Sequence, residues 1–317
     1  MALRPELGEL VSPFREALEE AGRVLVGRGE VLELLMAAAI AEGHVLLEGY
    51  MGVAKTMTAR VFARLIGGEF RRVQCTPDLL PSDILGGYVY NQARGEYVLR
   101  KGPIFANVVF MDEINRLSPR TQSAFIQALQ EGVVSIEGTT LRLPRPFLAV
   151  ATRITLIEEE GVYPLSYVLI DRFMFSLEVP RSTLEEEAEV LARIDALDRL
   201  EVRQVMTPEQ LVRYGERARR VTVAPEVRRY VVRLVERVRR SEDVRYPPSA
   251  RASISIYKGA RALAVMHGRS YVIPDDVKAV APYALRHRVV LKPEAELAGV
   301  RVEDLIREAL ESVPVPR

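Results

Sequence analysis

The pattern of hydrophobic and polar residues changes near residue 180 of this 317-residue chain. Between about residues 44 and 180, short apolar runs alternate with helical segments, which is typical of a parallel sheet covered by helices on both faces. The runs that predict strands are His44–Glu48, Phe70–Cys75, Val108–Met111, Phe147–Ala151 and Met174–Glu178. From about residue 181 onward the apolar spacing becomes helical. We therefore predict an α/β fold, with a parallel sheet flanked by helices in residues 1–180 and a smaller all-α unit in residues 181–317.

The helical unit has recognisable helix starts. Thr207 would cap a helix with its side-chain oxygen, and Pro208, which follows it, is tolerated in the first helical turn. A last helix is expected over residues 293–317, beginning at Pro293. Its apolar side chains would pack on the helical unit or on a neighbouring chain, and the sequence leaves both alternatives open.

Two β-hairpins are predicted inside the α/β unit. The first spans about residues 87–99, with its turn at Gly95, and the second spans about residues 133–143, with its turn at Gly138. Both segments combine alternating hydrophobicity with a glycine-bearing turn. They fall between strands of the sheet, so we expect them to be insertions into it.

Composition narrows the class of protein. Hydrophobic residues make up 48% of the chain and charged residues 27%, which is ordinary for a globular protein. Lys and Arg number 44 against 43 Asp and Glu, and this balance counts against a dedicated nucleic-acid binder. Cys75 is the only cysteine, so an internal disulfide is excluded, and we expect it in the core. The start resembles no signal peptide, and the apolar window Val31–Ala41 is too short to cross a bilayer. We expect a cytoplasmic protein without a membrane segment.

A phosphate-binding loop is predicted at Gly49–Thr56. This segment follows a strand, precedes a helix and resembles the Walker A pattern G-x-x-x-x-G-K-[ST], with Ala54 at the second glycine. Backbone N–H groups at a helix N-terminus face anions favourably. Lys55 would reach the β- and γ-phosphates, and the Thr56 hydroxyl would ligate Mg²⁺.

A second motif lies about sixty residues further on. The apolar strand Val108–Met111 ends in the adjacent carboxylates of Asp112 and Glu113, as in Walker B. Carboxylates at the carboxyl edge of a parallel strand lie where α/β proteins bind ligands. Asp112 would hold Mg²⁺ beside Thr56, and Glu113 would act as the general base for the attacking water. Together the motifs predict a site that binds and hydrolyses a nucleoside triphosphate.

The chain resembles the MoxR family of AAA+ ATPases, in the clade with a helix-2 insert, over about residues 26–288. The segments that resemble this family are Gln74–Asp83, Gly102–Phe105, Asp112–Arg116, Thr121–Ala124, Tyr163–Leu165, Asp171–Phe173 and Ser249–Ala252. The two predicted hairpins fall where this clade has its helix-2 and pre-sensor-1 inserts. The resemblance implies an AAA+ core followed by a helical lid, with ATP or ADP and Mg²⁺ as cofactors.

The resemblance also assigns site residues. Val26 and Gly27 would line the adenine site. Cofactor contacts would come from Gly49, Tyr50, Met51, Gly52, Val53, Ala54, Lys55, Thr56, Met57, Asp112 and Glu113. Arg172 resembles the arginine finger that reaches the nucleotide of a neighbouring subunit; the alternative is a salt bridge to Asp171 or Glu178. Arg251 resembles the sensor 2 arginine, placed by the lid on the nucleotide of its own subunit; the alternative is an ordinary surface arginine.

One segment departs from the family pattern. The fourth strand usually ends Ala-Thr-x-Asn-Pro, and that Asn is sensor 1, which orients the water. Here Ile154 stands at that position, between Arg153 and Thr155. Thr152, Thr155 or Arg153 could replace the lost polar group, and the sequence does not choose among them.

The leading hypothesis is an ATPase that works in a ring of six subunits. Its lid would rotate against the core about a hinge near residue 180. Resemblance alone implies chaperone-like remodelling of a partner protein with a von Willebrand factor A domain. The alternative is a nucleotide-gated binding module with little or no hydrolysis, because sensor 1 is altered. A DNA-dependent motor is disfavoured by the near-neutral charge.

Overall fold

The computed structural model describes residues 5–50, 52–153, 162–197 and 201–316. The helices are α1 (Pro5–Gly22), α2 (Gly29–Ile40), α3 (Lys55–Leu65), α4 (Pro81–Leu85), α5 (Pro119–Glu131), α6 (Tyr167–Ile170), α7 (Leu184–Leu197), α8 (Pro208–Arg220), α9 (Pro225–Arg239), α10 (Ala250–Met266), α11 (Pro274–Leu285), α12 (Pro293–Leu297) and α13 (Val302–Ser312). The strands are β1 (Val45–Glu48), β2 (Phe70–Gln74), β3 (Gly86–Asn91), β4 (Glu96–Lys101), β5 (Val108–Asp112), β6 (Val133–Ile136), β7 (Thr139–Arg142), β8 (Leu148–Thr152), β9 (Phe175–Glu178), β10 (Val244–Tyr246) and β11 (Val290–Leu291).

The centre of the fold is a five-stranded parallel sheet with the strand order β2-β5-β8-β1-β9. Successive side chains alternate between two apolar clusters. Leu47 and Phe110 belong to one cluster, with α2 and α3, whereas Leu46 and Met111 belong to the other, with α5. Burial on both faces explains why these strands are continuous apolar runs in the sequence. The predicted α/β fold class, a parallel sheet flanked by helices, is confirmed.

The two hairpins lie outside this sheet. In the first, β3 pairs with β4 and places Tyr90 opposite Tyr97, with ring centroids 5.3 Å apart. In the second, β6 pairs with β7 between α5 and β8. Each hairpin is a separate two-stranded antiparallel sheet.

The second half of the chain is mainly helical, with one short antiparallel pair, β10 and β11, that the sequence did not predict. The predicted terminal helix is instead two helices, α12 and α13. They are separated at Gly299, whose φ of 81° ends the first of them. α13 packs on α9 and α11, so the helical half itself covers its apolar face.

The helical half shares a hydrophobic cluster with the sheet. Ile256 of α10 and Val280 of α11 belong to the same cluster as Phe175 of β9. At Gly259 of α10 an added Cβ would lie 2.7 Å from Cζ of Phe175, so this helix lies directly on the edge strand. Rotation of this half against the core about a hinge near residue 180 stays a prediction. The division into units at residues 1–180 and 181–317 stays a prediction.

Two further expectations can be compared with the structure. Cys75 is fully buried, as expected for a core residue. Within the described ranges, no helix combines the length and the apolar composition needed to cross a membrane.

Candidate active site

The loop between β1 and α3 has a backbone that favours glycine. Gly49 and Gly52 have φ values of 133° and 82°, and an added Cβ at Gly49 would lie 2.5 Å from the carbonyl oxygen of Val179. Ala54 also adopts the left-handed conformation, with φ 64° and ψ 22°, immediately before α3 begins at Lys55. That conformation is the physical reason why this family usually has glycine at this position. Met51 lies outside the described residues.

Lys55 lies within this loop and close to the Walker B carboxylates. Its Nζ donates hydrogen bonds to the carbonyl oxygens of Gly49 and Tyr50, both at 2.7 Å. Burial lowers the pKa of Lys55, and the negative charges of Asp112 and Glu113 partly oppose this shift. β1 and β5 run parallel with β8 between them, so the loop with Lys55 and the Walker B carboxylates, predicted from two separate motifs, lie at the same edge of the sheet.

Asp112, at the end of β5, is held from both neighbouring strands. Its Oδ1 accepts a hydrogen bond at 2.9 Å from the hydroxyl of Thr152 on β8. Its Oδ2 accepts one at 2.6 Å from Nη2 of Arg72 on β2, which also donates to Gln74. The carboxylate plane is therefore fixed on two sides.

Glu113 follows in a left-handed turn, with φ 60° and ψ 55°. Its backbone N–H donates to the Thr152 hydroxyl at 2.7 Å, and its Oε2 accepts from Nε of Arg116 at 2.6 Å. Thr152 thus contacts both Walker B residues, one through the side chain and the other through the backbone.

The segment that replaces sensor 1 is described only in part. Thr152 is buried between Asp112 and Glu113 as stated above. Arg153 instead donates at 2.7 Å to Glu48, whose other oxygen accepts from Ser176. Ile154 and Thr155 lie outside the described residues. Of the two alternatives that the structure describes, Thr152 contacts the Walker B pair and Arg153 contacts Glu48.

A cavity of about 790 Å³ adjoins the loop. Its lining includes Val26, Gly52, Val53, Ala54 and Met57 from the predicted site, together with residues of α7. A volume of this size is ordinary for a pocket that binds a cofactor. Tyr50, in the loop, is half exposed, and the guanidinium of Arg181 lies 3.8 Å from the centroid of its ring.

Gly27 lies against α7, the first helix after the sheet. An added Cβ at Gly27 would lie 1.9 Å from Oε1 of Glu186, so the first turn of α7 packs directly on this segment. Glu186 and Thr183 cap that turn reciprocally. The predicted adenine site is therefore bordered by the connection between the two halves of the chain.

Arg28 is a site residue that the sequence analysis missed. It is only 3% exposed, and its guanidinium donates to the carbonyl oxygen of Val53 at 3.2 Å and to the Ser182 hydroxyl at 3.1 Å. Its Nη1 lies 3.8 Å from Glu186. Arg28 thereby joins the loop to the start of α7. Nothing in the sequence distinguished it from the many other arginines.

Arg172 lies at the opposite edge of the sheet from Lys55. Two residues after Arg172, the N–H of Met174 donates at 2.7 Å to the carbonyl oxygen of His44, which lies just before β1. The loop with Lys55 follows the other end of β1, and β1 runs parallel to β9. Nε and Nη1 of Arg172 are buried without a hydrogen-bond partner in the part of the chain that the structure describes. Burial, followed by the charge of Arg251, lowers the pKa of Arg172. Its predicted alternative partner Glu178 pairs instead with Arg286.

Arg251 lies on the same side as Arg172. Its Nη1 is 3.3 Å from Oδ2 of Asp171, at the first turn of α10. The structure therefore places the candidate finger and the candidate sensor 2 arginine together, and both at the far edge of the sheet from Lys55.

A P-loop after β1 of a parallel sheet, with paired carboxylates after β5 at the same edge, defines a P-loop nucleotide-binding protein. Comparison with known families agrees with this class. Residues 44–175 match the model of the ATPase family associated with various cellular activities (AAA), and residues 236–309 match the AAA lid domain.

Individual relatives are similar over nearly their whole length. The chain is 40% identical to the protein YeaC of Bacillus subtilis, over 100% of this chain and 98% of that one. It is 40% identical to the chaperone MoxR1 of Mycobacterium tuberculosis, over 97% and 83% of the two chains. A solved structure from Cytophaga hutchinsonii superimposes with a TM-score of 0.91 at 33% identity, covering 98% of this chain and 97% of that one. The chain belongs to the MoxR family of AAA+ ATPases, a family whose fold binds nucleotides.

Proposed function

We propose that this protein binds ATP together with Mg²⁺ at the carboxyl edge of its sheet and hydrolyses it as one subunit of a ring, with six subunits expected. The observation that supports this most is that the loop with Lys55 and the carboxylates of Asp112 and Glu113 lie at the same edge of the parallel sheet. The loop amides and Lys55 bind the β- and γ-phosphates, where the N-terminus of α3 favours negative charge. Glu113 accepts the proton of the attacking water.

The residues present suit magnesium. Thr56 and Asp112 offer a hydroxyl and a carboxylate, which are the oxygen ligands that Mg²⁺ prefers. Among the described residues, no group of three or more His, Cys, Asp or Glu side chains could hold a metal ion without further ligands. A site of one or two protein oxygens completed by phosphates is usual for Mg²⁺ in ATPases. When bound, the ion neutralises charge that develops on the transferred phosphoryl group.

Arg172 and Arg251 complete the site of a neighbouring subunit in this proposal. Both lie at the edge of the sheet opposite to Lys55, which supports a role at the phosphates of another chain. We therefore propose that Arg251 acts on the neighbouring subunit, whereas the resemblance implies a role within its own subunit. The unpaired nitrogens of Arg172 fit a partner that arrives with another chain. An arginine supplied from outside stabilises the charge of the transition state.

The rearrangement of partner proteins is the proposed purpose of hydrolysis. A relative that is 40% identical is named a chaperone. We propose chaperone-like remodelling of a cytoplasmic partner with a von Willebrand factor A domain, and no nucleic-acid partner. The nucleotide-gated binding module remains the second candidate, because Ile154 replaces the sensor 1 asparagine.

Phosphate release, measured beside nucleotide binding and light scattering, tests the proposal. We expect the wild type to assemble with ATP and to release phosphate at a rate per subunit that rises with protein concentration. Arg172→Ala should still bind ATP but release phosphate about a thousandfold more slowly. If the wild type binds ATP tightly and releases no phosphate above a protein-free blank, the binding module is correct instead.

A further inference from the structure

A buried arginine of the helical half fixes the backbone around the candidate finger. Arg288, in the 3₁₀ turn Arg286–Arg288 before β11, is directed at the segment Asp171–Met174. Its Nη2 donates to the carbonyl oxygens of Asp171 at 3.2 Å and Phe173 at 2.7 Å, and its Nη1 donates to that of Met174 at 3.2 Å. These carbonyls flank Arg172 on both sides. The path of the chain at the finger is therefore set by the helical half and not by the sheet alone.

The neighbouring residues of this turn contact the same strand. Nε2 of His287 lies 2.9 Å from the carbonyl oxygen of Phe173, and Arg286 pairs with Glu178 at 3.0 Å. The turn thus contacts the chain from Phe173, the residue after the finger, to Glu178 at the carboxyl end of β9. The finger and the helical half are joined as one body in this structure.

The carboxylate of Asp171 connects this turn to Arg251. Oδ1 of Asp171 accepts from Nε of Arg288 at 2.8 Å, and Oδ2 accepts from Arg251 at 3.3 Å. The Ser249 hydroxyl, which caps α10, donates to both oxygens at 2.9 and 3.1 Å. Three donors from two elements of the helical half therefore meet at a single carboxylate.

This carboxylate also offsets a concentration of positive charge. Arg172, Arg251 and Arg288 surround Asp171, so its single negative charge faces three guanidinium groups. Burial and, after it, the charge of Arg251 lower the pKa of Arg172, whereas the charge of Asp171 opposes this shift. Without the carboxylate of Asp171, the like charges of Arg172 and Arg251 would repel each other.

We propose that Asp171 is the positioning residue of the finger pair: held by Arg288, it keeps Arg251 beside Arg172 so that one subunit presents both arginines together to the γ-phosphate bound by its neighbour. This inference rests on the proposed ring with an active site shared between subunits. It adds that the helical half of each subunit responds to the nucleotide of the next subunit, because Arg288 and Asp171 connect that half to the finger.

A mixing experiment tests this role. Glu113→Gln subunits keep the finger but lack the base, and Arg172→Ala subunits keep the base but lack the finger. Mixed together, they should regain ATP hydrolysis at interfaces where the finger of the first serves the site of the second. Asp171→Asn is then added either to the finger donor or to the finger acceptor.

We expect Asp171→Asn in the donor to reduce the regained rate at least about tenfold, because small displacements of a catalytic group are costly. In the acceptor, whose own finger is already absent, the same substitution should leave the regained rate unchanged. Arg288→Lys in the donor should act in the same direction as Asp171→Asn. Glu178→Gln, at the other end of β9, is the matched control. Placed in either the donor or the acceptor, it should leave the regained rate of hydrolysis unchanged.

Each other outcome overturns the inference in a distinguishable way. If Asp171→Asn has no effect in the donor, the residue does not position the finger. If it reduces the rate equally in donor and acceptor, its role is general to folding or assembly. If the parent mixture regains no hydrolysis, the shared active site itself is wrong, and the proposed function fails together with this inference.

Discussion

The hydroxyl of Thr152 donates a hydrogen bond to Oδ1 of Asp112 at 2.9 Å, across the neighbouring strands β8 and β5. The hydroxyl oxygen of Thr152 also accepts a hydrogen bond from the backbone N–H of Glu113 at 2.7 Å. One buried hydroxyl thus orients the carboxylate assigned to magnesium and the backbone that presents the base. This chain lacks the usual sensor 1 asparagine but keeps the threonine of the family pattern, Thr152, which contacts the Walker B pair.

Thr152→Val should therefore lower the rate of hydrolysis more than nucleotide affinity. The substitution keeps the shape of the side chain but leaves Asp112 and the Glu113 N–H without their partner. We expect the turnover rate to fall about tenfold to a hundredfold, with the ATP dissociation constant nearly unchanged. Steady-state phosphate release and fluorescent-nucleotide titration measure the two quantities. Thr152→Ser keeps the hydroxyl and should stay close to the wild type; equal losses in both variants would contradict this role.

Arg72→Ala should make the site bind Mg²⁺ more readily. The guanidinium of Arg72 lies 2.6 Å from Oδ2 of Asp112, where its positive charge opposes a second cation. We expect nucleotide affinity to reach half of its magnesium-dependent gain at a several-fold lower Mg²⁺ concentration. Arg71→Ala is the matched control, because the adjacent Arg71 pairs with Glu69 instead. A higher magnesium requirement in Arg72→Ala would show that this arginine assists the metal.

Ala54→Gly should be nearly neutral for both stability and nucleotide binding. Relief of the left-handed conformation, worth about 1 kcal/mol, is offset by a similar entropy cost in the unfolded chain. Ala54→Val, by contrast, places a β-branched residue in that conformation. We expect it to lose roughly 1–3 kcal/mol in urea unfolding and to bind nucleotide weakly. Normal binding by Ala54→Val would contradict the backbone described for this loop.

Stability should fall as the pH decreases below about 6.5, partly because of His44. This imidazole is fully buried, with Nε2 2.9 Å from the carbonyl oxygen of Leu129 and Nδ1 accepting from Ala149 at 3.1 Å. Burial lowers the pKa of His44 to about 4, so the unfolded chain binds the proton first as the pH falls. The resulting loss is about 1 kcal/mol at pH 5.5. Burial also places the pKa of His287 well below its ordinary value, and this adds to the slope in the same direction.

Urea unfolding at several pH values measures this dependence. His44→Gln should remove about one proton from the slope between pH 6.5 and 5. The half-exposed His267, which lies 3.5 Å from Glu33, provides the control variant His267→Gln. An unchanged slope in His44→Gln would contradict the buried neutral imidazole.

The elements of the sheet could be predicted because their evidence is local in the sequence. A strand buried on both faces is a continuous apolar run, as in Val108–Met111, and the P-loop requires a fixed spacing around Lys55. The point at which a helical segment divides into two helices is harder to predict from local sequence. The break at Gly299 was missed, since the apolar residues of α12 and α13 continue one another closely enough to resemble a single helix.

Contacts between distant segments could not be predicted. Arg28 and Ser182 are separated by most of the sheet, and Arg288 reaches Asp171 across more than a hundred residues. Neither pair has a distinctive spacing, and this chain contains many arginines. The side of the sheet on which Arg251 lies depends on how the helical half packs against β9. For that reason the sequence assigned Arg251 to its own nucleotide, whereas the fold places it with Arg172.

The central claim is that Lys55 and Asp112 act on one magnesium-bound triphosphate. Affinity for a fluorescent ATP analogue, measured with Mg²⁺ and with a chelator, tests this most directly in the wild type, Lys55→Ala and Asp112→Asn. We predict that Lys55→Ala loses affinity under both conditions, whereas Asp112→Asn loses only the gain that Mg²⁺ provides. Wild-type affinity in both variants under both conditions would contradict the account.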